Sequence, residues 1–83
     1  MSYFVYLIGS YKKSRLITYV GYTNNLRKRL NLHNTGKGAK FTKGRAWKLL
    51  YYEKHFTKRG AILRENHIKK NRKLRDSIKK KYK

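Results

Sequence analysis

Five side chains in this sequence are of types that act on phosphate, and each stands where periodicity calls for an apolar residue. Tyr6 and Tyr19 lie inside short β-forming runs, Phe4-Val5-Tyr6 and Tyr19-Val20-Gly21. Arg29 and His33 share the stripe Leu26, Arg29, Leu30, His33, spaced as one face of a helix. Glu65 falls between Ala61 and Ile68 on a second such stripe. Two phenols from neighbouring strands beside a basic helix suit phosphate chemistry. An inward guanidinium can be aimed at a phosphate in a cleft, although a long arginine also snorkels out of such a face. A desolvated carboxylate needs a cation, a donor or a proton. That makes Glu65 a candidate metal ligand, set against a plain surface ion pair with Lys69 one turn on. With only Glu53, Glu65 and Asp76 as acids, any acidic role must fall on one of three residues.

These side chains need elements to hold them. Tyr3 to Ile8 is apolar or aromatic throughout, the pattern of a central strand buried on both faces. Leu16 to Tyr22 reads as its antiparallel partner, joined by a polar connector from Ser10 to Arg15, and this pairing could bring Tyr6 and Tyr19 together. Gly21 leaves room for close approach by backbone or ligand. Thr23-Asn24 supplies helix-capping side chains for a helix to about Asn34, which Gly36 stops. Thr35 to Arg45 is a Gly-Lys loop whose Lys37, Lys40, Lys43 and Arg45 can approach a sugar-phosphate chain, or which is simply solvated. Ala46 to Glu53 predicts a third strand at a sheet edge. Thr57 caps a second helix running to about Asn71, with Gly60 a mild defect in its first turn. Leu74, Ile78 and Tyr82 recur at helical spacing and predict a third, basic helix at about 72–82.

Composition bounds the possibilities. Eighty-three residues make one small domain, here expected to be 1–83, which buries only about 60 to 65% of its unfolded surface. The absence of cysteine excludes a disulfide scaffold and a thiolate zinc site. No apolar run approaches the length of a membrane span, and no leader pattern opens the chain, so a soluble cytoplasmic protein with no membrane partner is expected. A formal net charge of +21, from 24 Lys and Arg against 3 acids, opposes compaction and points to a polyanionic partner. Lys69, Lys70 and Arg72 at the start of the basic tail are further candidates for nucleic-acid contact.

Taken together, Phe4-Val5-Tyr6, Tyr19-Val20-Gly21, Thr23-Asn24-Asn25-Leu26 with Arg29-Leu30 and His33, and Ala61 with Arg64-Glu65 and Ile68-Lys69 resemble the GIY-YIG nuclease domain. The likeness covers roughly residues 3 to 70 and is closest to small single-domain members. Five ordered elements at compatible spacing are far more specific than any one tripeptide. The resemblance implies an α+β fold, a small three-stranded antiparallel sheet flanked by about three helices, carrying phosphodiester hydrolysis in a shallow basic groove. It implies that Tyr6 is the general base or water orienter, Tyr19 the second motif's tyrosine, Arg29 the arginine near the scissile phosphate, His33 an auxiliary group and Glu65 the ligand of one Mg²⁺ or Mn²⁺. The sequence departs from the pattern in having Phe4 at the first motif's glycine, Val20 for isoleucine, and Tyr22 where some members have lysine. Asn71 stands near the asparagine that some members carry after the metal-binding helix.

The expected activity is therefore metal-dependent endonuclease cleavage of DNA, with branched, flapped and nicked DNA all left open as substrates and repair, recombination or mobility of a genetic element as the role. A tyrosine titrates near 10, so Tyr6 can act as base only if cations depress that value. Arg29 and Tyr19 would hold nonbridging oxygens. The rival is a noncatalytic, ribosome- or DNA-associated basic protein on the same scaffold. A protein partner or a homodimer is left open.

Overall fold

A computed structural model of the chain describes residues 2–81. Strands β1 (Tyr3–Lys12) and β2 (Arg15–Thr23) form a hairpin closed by Lys13-Ser14. Both turn residues have positive φ, 49° and 69°, as in the mirror-image turn whose twist matches that of the flanking strands. The expected connector from Ser10 to Arg15 is thus mostly strand. Ser10 pairs with Ile17 and Lys12 with Arg15, because continuing the ladder satisfies backbone groups that a longer loop would leave to solvent.

Helix α1 (Leu26–Asn34) starts later than the Thr23-Asn24 signal suggests. Its cap is Asn25, whose Oδ1 accepts from the Lys28 amide at 3.1 Å, while Thr23 Oγ1 accepts from the Asn25 amide at 3.1 Å. The Gly-Lys loop contains one 3₁₀ turn, Lys40–Thr42, before β3 (Lys48–His55). Thr57 does cap α2 (Lys58–Lys70), and Asn71 both ends α2 and caps α3 (Arg72–Lys80) through its Oδ1 and the Leu74 amide, 3.0 Å apart. Asn71 is thereby a hinge between two helices. Tyr82, expected on the α3 stripe, lies outside the described residues. Among these residues no helix is long and apolar enough to cross a membrane.

The sheet is antiparallel with order β2-β1-β3, which puts β1 in the centre and β3 at an edge, as the patterns of apolar residues predict. Its two faces are both covered, and this is why β1 is apolar at nearly every position. On one face Val5 and Leu7 pack with Leu50 and with Ala61, Ile68 and Ile78 of α2 and α3. On the other, Tyr6 and Ile8 pack with Trp47 and with Leu26 and Leu30 of α1. Fully buried Leu7 and Ile8 each contribute about 1.5–3 kcal/mol from apolar burial. The second face carries the phenols.

Candidate active site

Strand register sets the positions of the two tyrosines. Tyr6 pairs with Gly21 and Ile8 with Tyr19, so both phenols rise from one face, one cross-strand pair apart. Glycine at 21 is required by Tyr6 itself, since a Cβ there would lie 2.6 Å from the Tyr6 ring carbon Cζ. The space inferred from the sequence is therefore filled by the phenol. Helix α1 then lays Arg29 and His33 over this face. The fully buried His33 ring meets Tyr19 edge-on at 5.1 Å between centroids and Tyr6 at 5.7 Å. His33 Nε2 is 2.8 Å from the Tyr6 oxygen, and Arg29 Nε donates to that same oxygen at 3.4 Å.

The direction of the Tyr6 proton follows from the far side of the imidazole. The Thr42 hydroxyl donates to the Ala39 carbonyl at 2.9 Å, which leaves its oxygen to accept. It accepts from the Ala39 amide at 3.2 Å and from His33 Nδ1 at 2.9 Å. In the tautomer protonated on Nδ1, Nε2 is the acceptor and Tyr6 O–H donates to His33. The sequence gives no signal for Thr42, which the 3₁₀ turn buries completely against a histidine nine positions away. Gly38 belongs to the same seat: a Cβ there would press on the His33 ring, 2.9 Å from Cγ and Cε1.

Burial raises the Tyr6 phenol above its usual 10. A hydrogen bond and the charge of Arg29 pull against this, and the Tyr19 and Glu65 charges reinforce it. In the protein alone Arg29 does not bring the phenol below its usual value, because desolvation outweighs the single guanidinium. Burial likewise lowers His33 from 6.5, helped by the Arg29 charge. At neutral pH the pair is phenol and imidazole, with the proton on oxygen.

Glu65 lies on the predicted inward stripe of α2, its side chain 13% exposed, with Lys69 Nζ at 3.3 Å. The plain ion pair is thus present, and the charge of Glu65 still reaches Tyr6. Among the described residues no three His, Cys, Asp or Glu side chains gather as a metal cluster. One recessed carboxylate suits a hard divalent ion that keeps several waters and takes phosphate oxygens as further ligands. The donor set fits Mg²⁺ or Mn²⁺ on that basis.

Glu53 is the acid most heavily engaged, and the sequence did not single it out. It accepts from Arg64 Nε at 2.7 Å, His55 Nε2 lies at 2.9 Å, and Tyr51 O–H donates to its second oxygen. Burial would raise its pKa, but these three donors together hold it below the ordinary value of 4.5. This carboxylate ties β3 to α2.

The predicted nucleic-acid contacts separate. Lys69 and Arg72 line a cleft of about 320 Å³ with Tyr19. Lys43 and Arg45 line a larger cleft, about 750 Å³, floored by Leu16 and Leu50 and lacking the five chemical side chains. Arg45 nevertheless reaches back toward the phenols, its guanidinium 5.7 Å from the centroid of Phe41, which stacks on Tyr19 at 6.2 Å. Phe41 is half exposed, an aromatic in a Gly-Lys loop that deserved notice in the sequence. Lys37, Lys40 and Lys70 are exposed.

Residues 2–83 match the family model described as the GIY-YIG catalytic domain. A UPF0213 protein of Oceanobacillus iheyensis is 52% identical over 52 residues, covering 61% of this chain and 60% of that protein. One from Clostridium perfringens is 55% identical over 53 residues, 63% of this chain and 57% of its own. The UPF0213 protein YazA of Bacillus subtilis is 51% identical over 53 residues, 63% and 54% respectively. The matched stretch thus spans little more than half the length of these relatives. No solved structure matches.

Proposed function

The chain belongs to the GIY-YIG catalytic-domain family, a family of nucleases, and from that premise we propose that it is an endonuclease hydrolysing DNA phosphodiester bonds with one divalent ion. The observation that carries the reading is the buried Tyr6–His33 hydrogen bond of 2.8 Å with Arg29 on the same oxygen. That bond holds one proton between two titratable groups beneath a guanidinium, an arrangement that supports proton transfer at a phosphate. Cytoplasmic action on DNA, in repair or recombination, belongs to the same proposal.

In this mechanism Tyr6 takes a proton from the attacking water as its own passes to His33 Nε2. One proton thereby travels from water to the imidazole, which later releases it to solvent. The transfer is uphill in the resting site, where burial favours phenol and neutral imidazole. Negative charge developing on the attacked phosphate offsets that cost by stabilising the imidazolium and drawing on Arg29. Tyr19 and Arg29 hold nonbridging oxygens, and Thr42 keeps His33 in the tautomer that can accept. A divalent ion held by Glu65 would supply charge neutralisation at the leaving 3′-oxygen.

The test is a panel of labelled duplex, flap, branched and single-stranded DNA, each with Mg²⁺ or Mn²⁺ and with chelator. Nicking by the wild type that disappears in Glu65→Ala, with binding retained, is the expected result. Equal cleavage by the variant would remove the metal role, and binding without cleavage of any substrate would leave the noncatalytic reading.

A further inference from the structure

Beside Tyr19 two clefts adjoin along the open edge of β2. The first, of about 320 Å³, is bounded by Thr18, Tyr19 and Val20 of the strand and by Lys69, Arg72, Arg75 and Lys79 of the helices. The second, of about 500 Å³, takes Lys12, Lys13 and Arg15 from the hairpin end. They share Thr18 and Lys79, so they form one groove from Tyr19 to the hairpin turn. Its lining holds a single acid, Asp76, positioned between Arg72 Nε at 3.8 Å and Lys79 Nζ at 3.9 Å.

We infer that this β2-edge groove is a track for the sugar-phosphate backbone of one DNA strand, continuing the strand that is cut at Tyr19. The dimensions agree with that occupant. From Arg15 to Tyr19 the strand covers about 13 Å at roughly 3.3 Å per residue. From Arg72 to Lys79 helix α3 covers about 10 Å at 1.5 Å per residue. Successive phosphates of one strand lie about twice their 3.4 Å axial rise apart along the backbone, so two or three of them fit. The cations come from the hairpin at one end of the chain and from α2 and α3 at the other, and a row of lysines and arginines with one acid suits phosphates, whose recognition is independent of sequence. Arg75 is partly committed to the fold, donating to the carbonyls of Ile68 and Lys69 at the end of α2. Arg15, Arg72 and Lys79 are the phosphate contacts.

This track rests on the nuclease reading for its position but is measured by binding alone. Anisotropy of a labelled DNA duplex is followed across NaCl concentration without divalent ion, and folding of each variant is checked by its melting curve. Arg15→Ser with Lys79→Ser removes two contacts and should flatten the slope of log K against log salt by about 1.8. Lys54→Ser with Lys58→Ser, which changes net charge equally away from the groove, should leave the slope nearly intact. Asp76→Asn should tighten binding roughly threefold, the effect of one unit charge at about 6 Å in water; a misfolded variant cannot produce that gain. Equal slopes for the two double variants, no gain from Asp76→Asn, or groove-dependent slopes with RNA and not with DNA would each overturn the track. Groove-dependent slopes without cleavage under any condition would remove the nuclease reading and leave the track standing.

Discussion

Tyr6 occupies the volume that a side chain at Gly21 would need, its ring carbon Cζ 2.6 Å from the place of a Cβ. The glycine of the second motif thus exists to seat the tyrosine of the first. Gly21→Ala must push the phenol off His33 or shift β2. A displacement of about 1 Å costs on the order of 100-fold in rate, while overpacking costs about 1–3 kcal/mol. Cleavage kinetics beside thermal melting should show rate falling far more than stability, and an alanine variant with unchanged rate would contradict the close fit.

Removing only the phenol oxygen separates chemistry from binding. Tyr6→Phe should lower the cleavage rate by about 10²–10⁴ and leave His33 Nε2 and Arg29 without their shared partner, at about 1–3 kcal/mol in urea unfolding. DNA affinity should barely change, because no cation is lost. A large loss of affinity with a preserved single-turnover rate would mean that Tyr6 grips substrate and moves no proton.

Thr42→Val keeps the shape of a fully buried side chain and deletes the acceptor for His33 Nδ1. The imidazole then loses the contact that fixes its proton on Nδ1, and the rate should drop with little change in KM. Nitrogen NMR of the His33 ring should report a mixed tautomer, and Thr42→Ser should restore the wild-type spectrum and rate. An unaltered spectrum in the valine variant would show that the hydroxyl does not set the tautomer.

Acidification should act through the same imidazole. Burial first, and the Arg29 charge second, hold folded His33 below its ordinary 6.5. As pH falls past 6.5 the unfolded chain binds this proton before the folded chain does. The stabilisation is therefore complete above about pH 6.5 and is lost as pH drops through the lower folded value. Urea midpoints should decline from about pH 7 toward 5, and His33→Gln should flatten the decline. Cleavage should persist to pH values below the usual histidine range, because only protonated His33 refuses the Tyr6 proton. Loss of activity beginning well above pH 7 would point to another group.

Much of this arrangement was legible in one dimension. The near-four spacing in α1 and α2 reports directly which residues share a face, so Arg29, His33 and the inward position of Glu65 could be read from spacing, while Tyr6 and Tyr19 stand out as tyrosines in two short β-forming runs. The groups that adjust those residues could not. Thr42 and Gly38 meet His33 because an irregular loop folds back over α1, and loop paths leave no periodic trace. The Glu53 cluster depends on β3 running two residues past its predicted end, which lets His55 reach the carboxylate. A β-bulge at Leu7/Ile8 shifts β3 against β1 and hid the alternation that would have made the third strand plain. Sequence also could not weigh burial against the cations at Tyr6, since charge can be counted along a chain but desolvation cannot.

Strand β1 has hydrogen-bonded neighbours on both sides, so fraying at the molecule's margins does not reach Tyr6. Its amides can exchange with solvent only when the whole sheet opens. Heat inactivation and global unfolding should therefore coincide, with no warm, folded but idle species between them. For a chain so crowded with like charge, the phenol proposed to act as base is carried by the last segment to let go.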